Sequence, residues 1–251
     1  MYLRDEAIVL QNVVWREHDA HVTLFGREHG KMLAIARGAR RWQAKHRGHI
    51  DALNQIEVML ASGTTHETMA VARSLRARPQ LRSLLSVVSV AGQAADRVSR
   101  LTEPHAAEPL VFDVLQELLN VCQAQTQEWT AERSRCMLAA CTLKLLDALG
   151  YAPELEQCHR CHLSMNEDVG FAERPFALVC RACADRTMQT APSFSLRLIR
   201  FLRRRSLTDC LAVTVEIPAL RFACDFIESC YREHVPLKDL QERIPCSLLC
   251  S

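Results

Sequence analysis

Two cysteine pairs, Cys158-His159-Arg160-Cys161 and Cys180-Arg181-Ala182-Cys183, stand eighteen residues apart and constrain this chain more than any other feature. Two intervening residues let both sulfurs of a pair point at one ion roughly 2.3 Å away, and two such pairs close a tetrahedron. Four thiolates leave no position for water. The expected cofactor is therefore one structural Zn2+ ion held by Cys158, Cys161, Cys180 and Cys183, in a module at about 155–186. Its apparent binding energy, about 10–16 kcal/mol at neutral pH, would contribute directly to folding that polar segment. The competing reading is four unpaired thiols or a redox pair. His159 and His162 adjoin the ligands, but a full thiolate set does not need them. A zinc deaminase is excluded, because Val179 precedes Cys180 and no His-x-Glu occurs.

The other eight of the twelve cysteines read differently. Cys122, Cys136, Cys141, Cys210, Cys224 and Cys230 fall in helix-like apolar patterns and are expected to be small buried hydrophobes. Cys246 and Cys250 lie in the C-terminal tail with no assigned task. The opening Met1-Tyr2-Leu3-Arg4-Asp5-Glu6 turns acidic at once, unlike a signal peptide, and no apolar run reaches eighteen residues. The expectation is a cytoplasmic protein without membrane attachment.

The first seventy or so residues alternate with period two. Ala7–Leu10 leads to Val13–Trp15, then a polar break, then His21–Phe25. Gly26 and Gly30 bracket a hairpin turn before Lys31–Ala36, and further strands are expected near Asn54–Leu60 and Thr68–Arg73. Five short strands suit a closed barrel better than an open sheet with exposed edges, and the OB-fold is the commonest five-stranded solution. After Pro79 the period becomes 3.6. Leu81, Leu84, Leu85 and Val88 mark one helix, and Val111, Leu115, Leu118 and Leu119 mark another. A third stripe, from Leu138 to Leu149, stops at Gly150. Helices resume from Ser193. The fold class is α+β: an OB-fold barrel over 1–79, then an all-α domain over 80–251 carrying the zinc module.

Net charge is only +2, so the distribution of charge matters more than its sum. Arg37, Arg40, Arg41, Lys45 and Arg47 fall within eleven acid-free residues that also hold Trp42 and His46, flanked by Gly38 and Gly48. Guanidinium groups pair with phosphate and an indole offers a base a face to stack on, so an exposed loop of this kind is a candidate DNA contact. A second stripe, Arg197, Arg200, Arg203 and Arg204, lies on a helix opposite Leu198, Ile199 and Leu202. It either continues that track or solubilises the helix.

The order of these pieces resembles the bacterial RecO family. The motifs that carry the likeness are Thr23-Leu-Phe-Gly-Arg-Glu-His-Gly30, Ala36-Arg-Gly-Ala-Arg-Arg41, Leu146-Asp-Ala-Leu-Gly-Tyr-Ala-Pro153, and the closing Leu237-Lys238. The resemblance implies a DNA repair and recombination mediator that binds single- and double-stranded DNA and anneals complementary strands. It implies action with RecR to load RecA onto DNA coated by single-strand-binding protein (SSB), in the nucleoid. It also implies a site on the helical domain for the acidic SSB tail, with Arg133 and Arg135 as candidates. The chain departs from the family pattern at Cys141-Thr142, where an aromatic residue and Glu are expected.

Two other classes compete. One is a zinc-containing protein-interaction adaptor with only incidental DNA contact. The other is an enzyme, against which stands the absence of a phosphate-binding Gly-x-x-x-x-Gly-Lys loop, a Gly-x-Ser-x-Gly elbow or a His-Glu-x-x-His helix. Asp5, Glu6, Glu17 and Asp19 near strand ends are expected to face solvent. No catalytic residue is assigned.

Overall fold

The computed structural model describes residues 2–39, 48–63, 67–165, 169–173, 176–185 and 188–235. Period-two alternation in the first part builds β1 (Tyr2–Trp15), β2 (Asp19–Gly26), β3 (Gly30–Ala36), β4 (Gln55–Ala61) and β5 (Glu67–Arg76). They close a barrel in the order β1-β2-β3-β5-β4, with β5 parallel to β3 and antiparallel to β4. This is the five-stranded OB-like arrangement. Every second residue points inward, so Val9, Val22, Leu24, Met32, Ala34, Ile56, Val58 and Leu60 fill one buried cluster. The segments Ala7–Leu10 and Val13–Trp15 are one long strand, bent by an irregularity between Val9 and Gln11 that lets it serve two neighbours.

The motif from Thr23 to Gly30 is a hairpin clamped from below. Asp5 of β1 is buried, and its carboxylate accepts from the backbone N–H groups of Glu28 (3.2 Å) and His29 (2.9 Å) and contacts His29 Nδ1 at 3.0 Å. The solvent-facing expectation for Asp5 is thus corrected, because an acceptor was needed for turn donors that no strand satisfies. Gly30 has φ +64, and a Cβ there would stand 1.8 Å from the carbonyl oxygen of Ala106. Only glycine admits that approach of hairpin to helical domain.

The helical part comprises a short 3-10 turn (Gln80–Ser83), then α1 (Leu85–Leu101), α2 (Pro109–Gln123) and α3 (Ala131–Ala148), followed by α4 (Ser195–Arg204), α5 (Leu207–Leu211) and α6 (Ile217–His234). The first expected helix is corrected here. Leu84 is extended, so Leu81 belongs to the 3-10 turn, and Leu85 is 77% exposed. The buried face of α1 is instead Val87, Val90, Ala91, Ala94, Ala95 and Val98, whose small side chains let neighbouring helices approach. At the end of α3, Tyr151 N–H donates to Leu146 O (2.7 Å) and Gly150 N–H to Asp147 O (3.1 Å), with Gly150 at φ +79. This is the glycine-terminated Schellman stop that the sequence pattern predicts.

The helical core extends into the barrel, taking in Ile8, Leu10, Phe25 and Leu53. Phe25 stacks on Phe112 with centroids 6.5 Å apart, Arg27 lies over Phe112, and its guanidinium pairs with Asp113 at 2.6 Å. Arg78, in the connection after β5, is 2% exposed and donates to Asn120 of α2 (3.0 Å). Burial, reinforced by neighbouring Arg76, pushes Arg78 down to about 10, so it is still charged at neutral pH. The proposed division at 79/80 falls between β5 and the 3-10 turn. Among the described residues no helix is long and apolar enough to cross a membrane.

Candidate metal centre and nucleic-acid interface

Between α3 and α4 lies a feature that the sequence pattern did not reveal, a small sheet of β6 (Val169–Glu173), β7 (Phe176–Cys180) and β8 (Gln189–Thr190) in the order β7-β6-β8. Its strands are too short for alternation to register against the cysteine and turn composition around them. β7 delivers Cys180 to the four-cysteine cluster, while Leu178 and Val179 join Leu155 and Met165 in the helical core. The Sγ atoms of Cys158, Cys161, Cys180 and Cys183 all lie within 4.8 Å of one another, and those of Cys161 and Cys180 are 3.8 Å apart. A tetrahedron with arms of roughly 2.3 Å has edges of about 3.8 Å, so the thiols fit one four-coordinate ion.

The surrounding backbone favours thiolate. Burial opposes ionisation of Cys158, yet the backbone N–H groups of Cys161, Cys180 and Arg160 outweigh it and hold the thiol down at about 6. One of these contacts is Cys180 N–H to Cys158 Sγ at 3.3 Å. Side-chain hydrogen bonding with Cys180 and Cys161 pushes the Cys183 thiol up to about 12. Charge is thus held readily at Cys158 and resisted at Cys183 unless a cation compensates it. Arg160 ties the knuckles together, donating to Cys183 O (2.7 Å) and pairing with Asp185 at 3.2 Å.

The α4 stripe turns out to be engaged within the molecule. Arg200 donates to Leu155 O (2.6 Å) and Met165 O (3.2 Å) and pairs with Glu156 at 3.2 Å. Arg204 pairs with Glu156 at 2.7 Å and Arg203 with Asp147 at 2.9 Å. Arg200 therefore buckles the metal module to α4. Arg197 lies beside the exposed ring of Phe194, its guanidinium 5.0 Å from the centroid.

Of the basic loop, Arg37 is exposed, whereas Arg40, Arg41, Trp42, Lys45 and Arg47 lie outside the described residues. The stem is fixed: Gly38 N–H donates to Asp19 Oδ1 at 2.8 Å, and Ala36 and Ala39 are buried in the barrel. Asp19 is thus a structural acceptor. Arg133 and Arg135 are both exposed at the start of α3. Thr130 caps that helix by accepting from Arg133 N–H at 3.2 Å. Thr142 is buried and accepts from Arg97, whose other nitrogen pairs with Glu228 of α6 at 2.6 Å.

Residues 1–90 match the family Recombination protein O N terminal, and residues 85–243 match Recombination protein O C terminal. The chain is 28% identical over 239 residues to the DNA repair protein RecO of Roseiflexus sp. (strain RS-1), covering 94% of this chain and 82% of that protein. It is 31% identical over 184 residues to the protein of that name from Cutibacterium acnes, covering 72% of this chain and 73% of that protein. With the corresponding protein of Desulforudis audaxviator it shares 24% identity over 97% of this chain and 93% of the relative.

Proposed function

The chain belongs to the RecO family, and from that premise we propose that it is a DNA repair and recombination mediator that binds single- and double-stranded DNA and anneals complementary strands. The observation that carries this reading is a closed OB-like barrel whose β3–β4 connection opens with exposed Arg37 on a stem fastened to the barrel. Oligonucleotides bind barrels of this type across strands and loops of one side. In the proposed mechanism Arg37, Arg40, Arg41, Lys45 and Arg47 neutralise phosphates, and Trp42 gives a base a stacking face. Neutralising the phosphates of two strands lets them approach, so annealing follows without covalent chemistry. Arg197 and Arg204 extend the basic surface, and Arg200 serves the fold.

Zinc, when bound, supplies a fixed cross-link between the two cysteine pairs. The four thiolates hold it, Arg160 and Arg200 brace the module, and its task is structural. RecR, the acidic tail of SSB and, through them, RecA are the proposed protein partners, with Arg133 and Arg135 facing the tail. The proposed place of action is the nucleoid.

About five phosphate contacts on single-stranded DNA give an expected slope of log affinity against log salt of roughly −3.5. Substituting both Arg40 and Arg41 with Ala should reduce its magnitude to about 2.1, since each contact contributes ~0.7. A fluorescent oligonucleotide titrated across a salt series reads this directly. An unchanged slope would remove the loop from the interface. Normal partner binding with no DNA binding at low salt would favour the zinc-containing adaptor.

A further inference from the structure

The outer face of β1, β2 and β3 holds an aromatic and cationic group that the basic loop does not account for. Register aligns Gln11, Thr23 and Leu33 in one row and Val13, His21 and Ile35 in the next, and sets Trp15 opposite Asp19. Among the described residues the helical domain covers one end of this face, at Ile8 and Phe25, and does not reach Val13 or Leu33. Val13 is 47% and Leu33 44% exposed. At the exposed end the rings of Trp15 and His21 meet in a tilted arrangement, 36° between their planes and centroids 4.4 Å apart, and the Arg16 guanidinium lies 4.2 Å from the Trp15 centroid.

Two observations distinguish this group from an incidental surface tryptophan. Arg16 sits at φ +59, a left-handed conformation that a bulky side chain rarely adopts, in the tight turn joining β1 to β2. Asp19, the register partner of Trp15, also accepts from Gly38 at the stem of the basic loop. The indole therefore stands where the β1–β2 turn and the β3–β4 loop meet.

Resting on the DNA-binding reading above, we propose that Trp15 is a base-stacking platform for single-stranded nucleic acid, and that an unpaired base displaces the Arg16 guanidinium from the indole. The displaced guanidinium then pairs with a phosphate of the same strand. An exposed cation–π contact is weaker than base–aromatic stacking, so the exchange runs toward the bound state. Stacking occupies the π face of the base and leaves its pairing edge open to a complementary strand. Trp15 thereby selects strands with unpaired bases, while the loop arginines bind any phosphate backbone.

The test compares oligothymidylate with an abasic oligonucleotide of equal length, on the full-length zinc-loaded protein. The wild type should bind oligothymidylate about tenfold tighter than the abasic strand. Trp15→Ala should abolish that preference while leaving abasic affinity unchanged, and Trp15→Phe should restore most of it. Arg16→Ala should keep the preference and reduce the magnitude of the salt slope by about 0.7. A Trp15→Ala protein that retains the wild-type preference overturns the proposal. So does one that loses both affinities equally, which makes Trp15 a folding residue only. If the wild type binds neither oligonucleotide at low salt, the DNA-binding reading falls and this one with it.

Discussion

Thiol chemistry separates the twelve cysteines into groups with different tasks. Cys136 and Cys210 are pushed up by burial to about 11, and Cys122, Cys141 and Cys230 to about 12, so they stay protonated and inert at neutral pH. Counting thiols with an aromatic disulfide reagent at pH 8 should give additional reacting groups after chelation of the metal, Cys158 fastest because its thiol is held down at about 6, and Cys183 slowest because its thiol is pushed up to about 12. A count unchanged by the chelator would mean that the two pairs hold no ion. The buried group also has a pH consequence. An unfolded thiol ionises near 9.0 and the folded ones near 11 to 12, so the folded chain retains protons that the unfolded chain gives up. Their contribution to stability is full below pH 9 and is lost as pH rises from 9 toward 12. Denaturant midpoints at pH 8 and pH 10 should show the decline, to which Cys136→Ala and Cys141→Ala should contribute less. The cluster of Cys158, Cys161, Cys180 and Cys183 was legible because the spacing that brings such thiols together is local in sequence. The clamp at Asp5 was not, because its turn donors are more than twenty residues away and a carboxylate at a strand end reads as solvated.

Among the elements, α4 shows where an amphipathic pattern stops being informative. Periodicity separates Arg197, Arg200 and Arg204 from Leu198, Ile199 and Leu202, and the buried face is as expected. What the polar face meets depends on Glu156 and the carbonyls of Leu155 and Met165, which the fold alone brings there. Arg200→Ala should therefore speed metal release to a competing chelator several-fold while helical circular dichroism is kept. Unchanged release would return Arg200 to the DNA-facing candidates. Helix α1 teaches a related lesson. Leucines at helical spacing pointed to one stripe, but Leu85 faces solvent and an alanine-rich face is buried. Small residues carry little hydropathy signal yet set how closely helices pack. The barrel strands were clearer, since alternation with a single buried face fixes their register, and the turn glycines mark the hairpin.

At the scale of the whole molecule, barrel and helices share one apolar interface closed by Phe25, Phe112 and the buried Arg78. Phe25→Ala should cost about 3–5 kcal/mol and lower a single cooperative unfolding transition, read by denaturant titration. Two separated transitions in the wild type would mean that the halves fold independently. Such coupling fixes the exposed end of the barrel face relative to the helical domain, so that under the proposed function DNA on the one and partner proteins on the other would be held in a constant geometry.

Charge neutralisation by the basic loop is the proposed means by which this barrel handles DNA strands. The most direct test follows binding of a fluorescent single-stranded oligonucleotide and annealing of its complement in the same samples across a salt series. Wild-type protein and the Arg40→Ala/Arg41→Ala variant are compared. The expected salt slope is roughly −3.5 for the wild type and about −2.1 for the variant, with annealing that slows in step. Equal slopes and equal annealing, with metal bound and both proteins folded, would contradict it.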